Sequence, residues 1–156
     1  MESYLERFWK FLLGIFLQID WVSRAVSPGE RISRFIPYRG WIRPAKGRVS
    51  PAAFMPPKIG DLSVYRTSGC AEKKIWLLGM LFVERKRKDK ARVVGRADVC
   101  SDLVFEQKLK IRSLFSPHLR HAELTNWPED KAQQKDKALA LAQAAILCVR
   151  PGAEPF

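Results

Sequence analysis

His118 and His121 are the only histidines of the chain and stand three residues apart in Pro117-His118-Leu119-Arg120-His121. Two imidazoles and a guanidinium suffice for metal-free phosphodiester cleavage, with one base, one acid and a cation on the developing charge. Residues three apart share a face on a helix, and Pro117 and its loop context argue against a helix at this place. The acids Asp98, Asp102 and Glu106 are scattered at spacings that arise by chance, so they do not define a nuclease metal site. Ser63 and Cys70 have no base that sequence can assign to them. Gly29, Gly40 and Gly47 lie outside any P-loop or Rossmann pattern. Cys70, Cys100 and Cys148 form no CxxC and no Cys/His ligand spacing, which leaves ordinary buried thiols of a reducing cytoplasm. No cofactor and no metal are expected.

Binding is better supplied than catalysis. Across 156 residues, 28 Lys and Arg face 16 Asp and Glu, a net charge of +12. Residues 1–30 carry three basic and four acidic side chains, so the whole excess belongs to residues 31–156. Such a body repels itself, and a polyanion relieves the repulsion while releasing its own counterions. Two stretches concentrate the cations. In the Pro- and Gly-rich segment 39–60, Arg39, Trp41, Arg43, Lys46 and Arg48 alternate cation with aromatic or turn residues, a composition suited to phosphate contact and base stacking. In Glu84–Arg92, the cations Arg85, Lys86, Arg87, Lys88, Lys90 and Arg92 outnumber Glu84 and Asp89 and cannot all be paired locally.

The first thirty residues are of another kind. Their longest apolar run, Phe11–Leu17, holds seven residues, about a third of the ~20 that a membrane-spanning helix needs. On a helix, Leu5, Phe8, Trp9, Leu12 and Phe16 share one face. That stripe must be covered by its own domain, by a groove of a protein partner, or by a membrane interface. Ser27-Pro28-Gly29 ends the segment, which places a domain boundary near residue 30.

The elements follow from periodicity. Arg31–Tyr38, Asp61–Arg66, Ala91–Val99 and Leu109–Leu114 read as strands, with a further one at His121–Thr125. Pro37 marks the end of the first strand or an edge position. Ala71–Arg85 has apolar residues at helical spacing, and Ser101 or Asp102 starts a helical turn through Gln107. Trp127-Pro128-Glu129-Asp130 forms the first turn of a C-terminal helix whose stripe is Ala138, Leu141, Ala142, Ala145 and Val149, closed by Arg150-Pro151-Gly152.

The expected fold is α+β: a small mixed sheet of about four to five short strands with an N-terminal apolar helix (1–30), a central helix and a C-terminal amphipathic helix in a basic domain (31–156). The expected function is that of a non-enzymatic, cytoplasmic accessory or adaptor subunit. It contacts RNA or DNA phosphates through its basic face and docks a protein partner through the N-terminal helix. The alternatives are a small ribonuclease or toxin using His118, His121 and Arg120, and a membrane-associated effector using residues 4–22. The paired aromatic strands of an RRM, the GxxG loop of a KH domain and zinc-finger spacing are all lacking.

Overall fold

A computed structural model describes residues 4–6, 8–9 and 22–152. Among the described residues, eight strands, β1 (Arg31–Ile36), β2 (Ile42–Arg43), β3 (Arg48–Val49), β4 (Leu62–Arg66), β5 (Gly95–Cys100), β6 (Lys110–Ser113), β7 (His121–Thr125) and β8 (Ile146–Val149), alternate with three α-helices beyond residue 30, and residues 4–6 and 8–9 are helical as well. The three α-helices are α1 (Glu72–Leu78), α2 (Ser101–Glu106) and α3 (Lys131–Ala144). Six strands form one sheet in the order β6-β7-β4-β1-β5-β8, and β2 and β3 form a separate ribbon. Every pairing is antiparallel. The α+β class is as expected. The sheet is antiparallel rather than mixed, and it is larger than expected by the strand β8.

Period-two alternation divides the sheet into two faces, each with its own core. On one face Ile32, Ile36, Leu62, Val64, Ala97, Val99, Ala122 and Leu124 pack with Phe54 and with Ala138, Leu141 and Ala142 of α3. On the other, Phe35 and Tyr65 meet Ile75 and Leu78 of α1. β5 is buried along nearly its whole length because both layers cover it.

One local reading is narrowed and two need correction. Pro37 ends β1, which lies in the interior of the sheet between β4 and β5 and not at an edge. The C-terminal helix starts later than expected: Asp130 is the N-cap, its carboxylate accepting the Gln133 amide at 2.9 Å, so Pro128 and Glu129 precede the helix. It also ends earlier. Ala145 is extended, and Ile146–Val149 pair with β5, because a run of Ile, Leu, Cys and Val favours a strand once a free sheet edge is in reach. Ala145 and Val149 therefore do not belong to the helical stripe.

α1 is the expected central helix, though its regular part is short. It widens into a π-helical stretch, Gly79–Val83, and closes as a 3-10 turn, Glu84–Lys86. The thiols also differ from expectation, for Cys100 is exposed and Cys70 and Cys148 are half-buried.

Residues 22–30 lie against the sheet domain. Arg66, 2% exposed, donates to the Ser23 and Ala25 carbonyls and to both oxygens of Glu30. Tyr4, Leu5, Phe8 and Trp9 are exposed, and Leu12 and Phe16 lie outside the described residues. No helix among the described residues is long and apolar enough to cross a membrane.

Candidate functional site

The two basic stretches meet at one end of the sheet. β1 ends at Ile36 and leads through Pro37 and Tyr38 into a 3-10 turn that carries Arg39. The Val94 amide donates to the Ile36 carbonyl, and the Arg150 amide donates to the Val94 carbonyl. Three chain segments are thereby tied side by side. Arg39, Arg92 and Arg150 line one cavity of about 340 Å³ together with Val93, Val94, Pro151 and Gly152.

Charge balance differs among these cations. Arg150 is paired with Glu84, whose carboxylate also accepts the Val93 amide. Arg87 is held by Asp89, which with the Tyr38 hydroxyl raises its pKa above the ordinary arginine value. Arg85, Lys86, Lys88, Lys90 and Arg92 form no ion pair among the described residues, and all five are exposed.

Of the two aromatic rings at this surface, Tyr38 is the more exposed. Trp41 is half-buried against the core and meets Tyr38 edge-on at 4.6 Å. Tyr38 is 41% exposed, and the Arg87 guanidinium lies 4.7 Å from its ring centre. Arg43 donates to the Gly40 and Ile42 carbonyls of its own loop. Lys46 is exposed at the tip of the β2–β3 ribbon. Arg48 opens on a different cavity, beside Leu139, Ala142 and Gln143 of α3.

A second cavity, of about 300 Å³, lies between the sheet and the end of α1, lined by Arg34, Phe35, Ser63, Tyr65, Phe82, Val83, Lys86, Pro117 and His121. Lys86 thus joins the basic run to this cavity. His121 Nε2 is 2.8 Å from Ser63 Oγ, and His121 Nδ1 is 2.6 Å from the Ser116 carbonyl oxygen. A carbonyl only accepts, so Nδ1 carries the proton, Nε2 is left with its lone pair, and the Ser63 hydroxyl donates to it. Burial lowers the His121 pKa below 6.5 against the Ser116 carbonyl and Glu123, which act to raise it, while nearby Lys86 lowers it further. The ring is neutral at pH 7, the state a general base needs.

The histidine-arginine trio does not converge on this cavity. His118 is 1% exposed; its Nδ1 accepts the Arg120 amide, and its ring lies 5.2 Å from that of Phe82. Arg120 donates to the Arg66 and Ser68 carbonyls. Asp98 is taken up by Arg96 and Ser33, and Asp102 by the Gly29 amide. No cluster of three or more metal-binding side chains occurs among the described residues.

Sequence reasoning found no base for Ser63 and missed Arg34, Tyr38 and Arg150. Their places depend on strand register and on β8, which no local pattern reveals. No protein-family model, curated protein or solved structure matches the chain, so the geometry alone carries a functional reading.

Proposed function

We propose that this chain is a nucleic-acid-binding accessory protein whose arginine-lined cleft takes the backbone phosphates of RNA or DNA. The observation that carries the reading is the convergence of Arg39, Arg92 and Arg150 from three separate segments on one cavity. The unpaired cations of the 85–92 run extend that surface, and Tyr38 offers an exposed ring beside it. Phosphate contacts of this kind give affinity with little sequence preference. The exposed Leu5, Phe8 and Trp9 suit a contact with a protein partner, which makes an adaptor of the binding module.

Anisotropy of a labelled oligonucleotide, titrated at several salt concentrations, tests the cleft. Each phosphate contact contributes roughly 0.7–0.9 to the slope of log K against log salt. Replacing Arg39 and Arg92 together by Glu should weaken binding at least about tenfold and reduce that slope by about 1–2, with equal effect on unrelated sequences. An unchanged slope with unchanged affinity would remove the cleft from the interface.

A further inference from the structure

The cavity beside the cleft holds more than a fold needs. Ser63 and His121 stand as nucleophile and base within hydrogen-bond reach, with the base oriented by a third group, the Ser116 carbonyl. This is the general arrangement of an activated hydroxyl. The pair projects from β4 and β7 into a space walled by Phe35, Phe82 and Val83, which limit water. Phe82 and Val83 belong to the π-helical stretch that follows α1.

The cations of the cavity point to the substrate's charge. The β1–β4 ladder covers only Ile32↔Arg66 and Ser33↔Tyr65. Beyond it the Arg34 guanidinium fills the gap, donating to the Ala53 carbonyl at 3.0 Å and the Ser63 carbonyl at 2.9 Å. Arg34 forms no ion pair among the described residues. Burial, with the nearby charge of Arg87, lowers its pKa to about 10, so it remains a cation at neutral pH. Arg34 is half-buried; a partly desolvated charge without a counterion is unfavourable, and a bound anion offsets that cost. Lys86 adds a second cation, and Tyr65, whose pKa burial raises, keeps its phenolic proton.

We propose that Ser63 and His121 hydrolyse a phosphodiester bound in this cavity, with Arg34 and Lys86 neutralising its oxygens. Ser63 Oγ attacks phosphorus while its proton passes to His121 Nε2. The P–O bond opposite the attacking oxygen breaks, and the leaving oxygen, on the side away from His121, takes a proton from water. Water then attacks phosphorus from that side, its proton passing to the hydroxide left by the first step, and Ser63 Oγ takes its proton back from the imidazolium as its own P–O bond breaks. The sum is diester plus water to monoester plus alcohol, with no change of oxidation state. Acyl transfer suits the site less well. It calls for backbone amides aimed at an oxyanion, and the amides around Ser63 lie in the plane of the sheet, where β4 pairs with β7.

Only the choice of a phosphodiester rests on the polyanion reading; the nucleophile and base stand on their own geometry. Bis(p-nitrophenyl) phosphate is therefore the probe, because it is too small to need the arginine cleft. The full chain should release p-nitrophenolate above the buffer rate and carry a phosphoryl adduct on the Ser63 peptide by mass spectrometry. Ser63→Ala should return release to the buffer rate, and His121→Gln should lower it at least about a hundredfold. The wild-type rate should rise with pH through an ionisation below 6.5 and level off by neutrality, His121 titrating among Lys86, Glu123, Arg34 and Tyr65. Both variants alter side chains outside the two hydrophobic cores, and circular dichroism verifies their fold. Release by folded Ser63→Ala at the wild-type rate overturns the proposal, as does a folded wild type giving neither release nor adduct. Loss of oligonucleotide binding alone bears on the cleft and leaves this readout in place.

Discussion

Arg96 is 1% exposed and remains charged because every direction around it is occupied. It donates to both oxygens of Asp98 and both of Glu72, and its guanidinium lies 4.8 Å from the Trp76 ring centre. Burial works against the charge, but Glu72 and Asp98 outweigh it and raise the pKa above the ordinary arginine value. Asp98 also accepts from the Ser33 hydroxyl at 2.6 Å, and Ser33 is 2.7 Å from the Thr67 hydroxyl. Removing Asp98 leaves Arg96 with the exposed Glu72 as its one carboxylate partner among the described residues and takes the acceptor from the buried Ser33 hydroxyl. Asp98→Ala should lower unfolding stability by about 3 kcal/mol, read from the urea midpoint. Glu30 gives a second prediction. Burial would raise its pKa, but the hydrogen bonds from Arg66 and the Ser27 amide prevail and hold it below 4.5. A carboxyl depressed on folding stabilises fully above its unfolded pKa, and that contribution is lost as pH falls through the folded value. The melting temperature should therefore drop below about pH 4.5, and more gently in Glu30→Gln, as thermal scans from pH 7 to 3 can check.

Among the elements, α1 shows how one small residue sets a distance. A Cβ on Gly79 would lie 2.8 Å from Cδ1 and Cε1 of Phe35. That ring is 2% exposed and meets Tyr65 edge-on at 5.4 Å, so it has no room to turn aside. Alanine gains roughly 1 kcal/mol over glycine in a helix, whereas overpacking a core costs about 1–3 kcal/mol. Gly79→Ala should accordingly be destabilising by about 1–2 kcal/mol in chemical denaturation; a stabilised variant would mean that α1 can lift off the sheet at no cost. Legibility in the sequence also divides by element. β1, β4, β6 and β7 were readable because each alternates along its own few residues, as Leu62-Ser63-Val64-Tyr65 does. β8 was not, since residues 138–149 form an apolar stretch broken by Gln143 alone, in which only the sheet edge distinguishes strand from helix. The Ser63–His121 pair was hidden for a related reason. Its members are 58 residues apart, and only the β4–β7 register, with Tyr65 opposite His121, brings them together.

Over the whole molecule, the boundary expected near residue 30 falls where the contacts are dense. Arg66, on an interior strand of the sheet, draws its partners from Ser23, Ala25 and Glu30. The Ser101 hydroxyl donates to the Ser27 carbonyl and accepts the Glu30 amide, and the Gly29 amide reaches Asp102. Val26 packs on the larger of the two cores. Without residues 22–30, the Arg66 guanidinium loses Glu30, two carbonyl acceptors and the segment that covers it, and keeps Ser113. Those hydrogen bonds at about 1 kcal/mol each and the burial of Val26 at about 1.5–3 kcal/mol go together with the segment. Chains beginning at residue 22 and at residue 31 should thus differ by at least about 3 kcal/mol in unfolding free energy, the shorter being the weaker. Because the comparison subtracts everything before Val22, it isolates the strap itself. Equal urea midpoints would show that the sheet domain ends at residue 31 and that the Arg66–Glu30 pair contributes nothing to its stability.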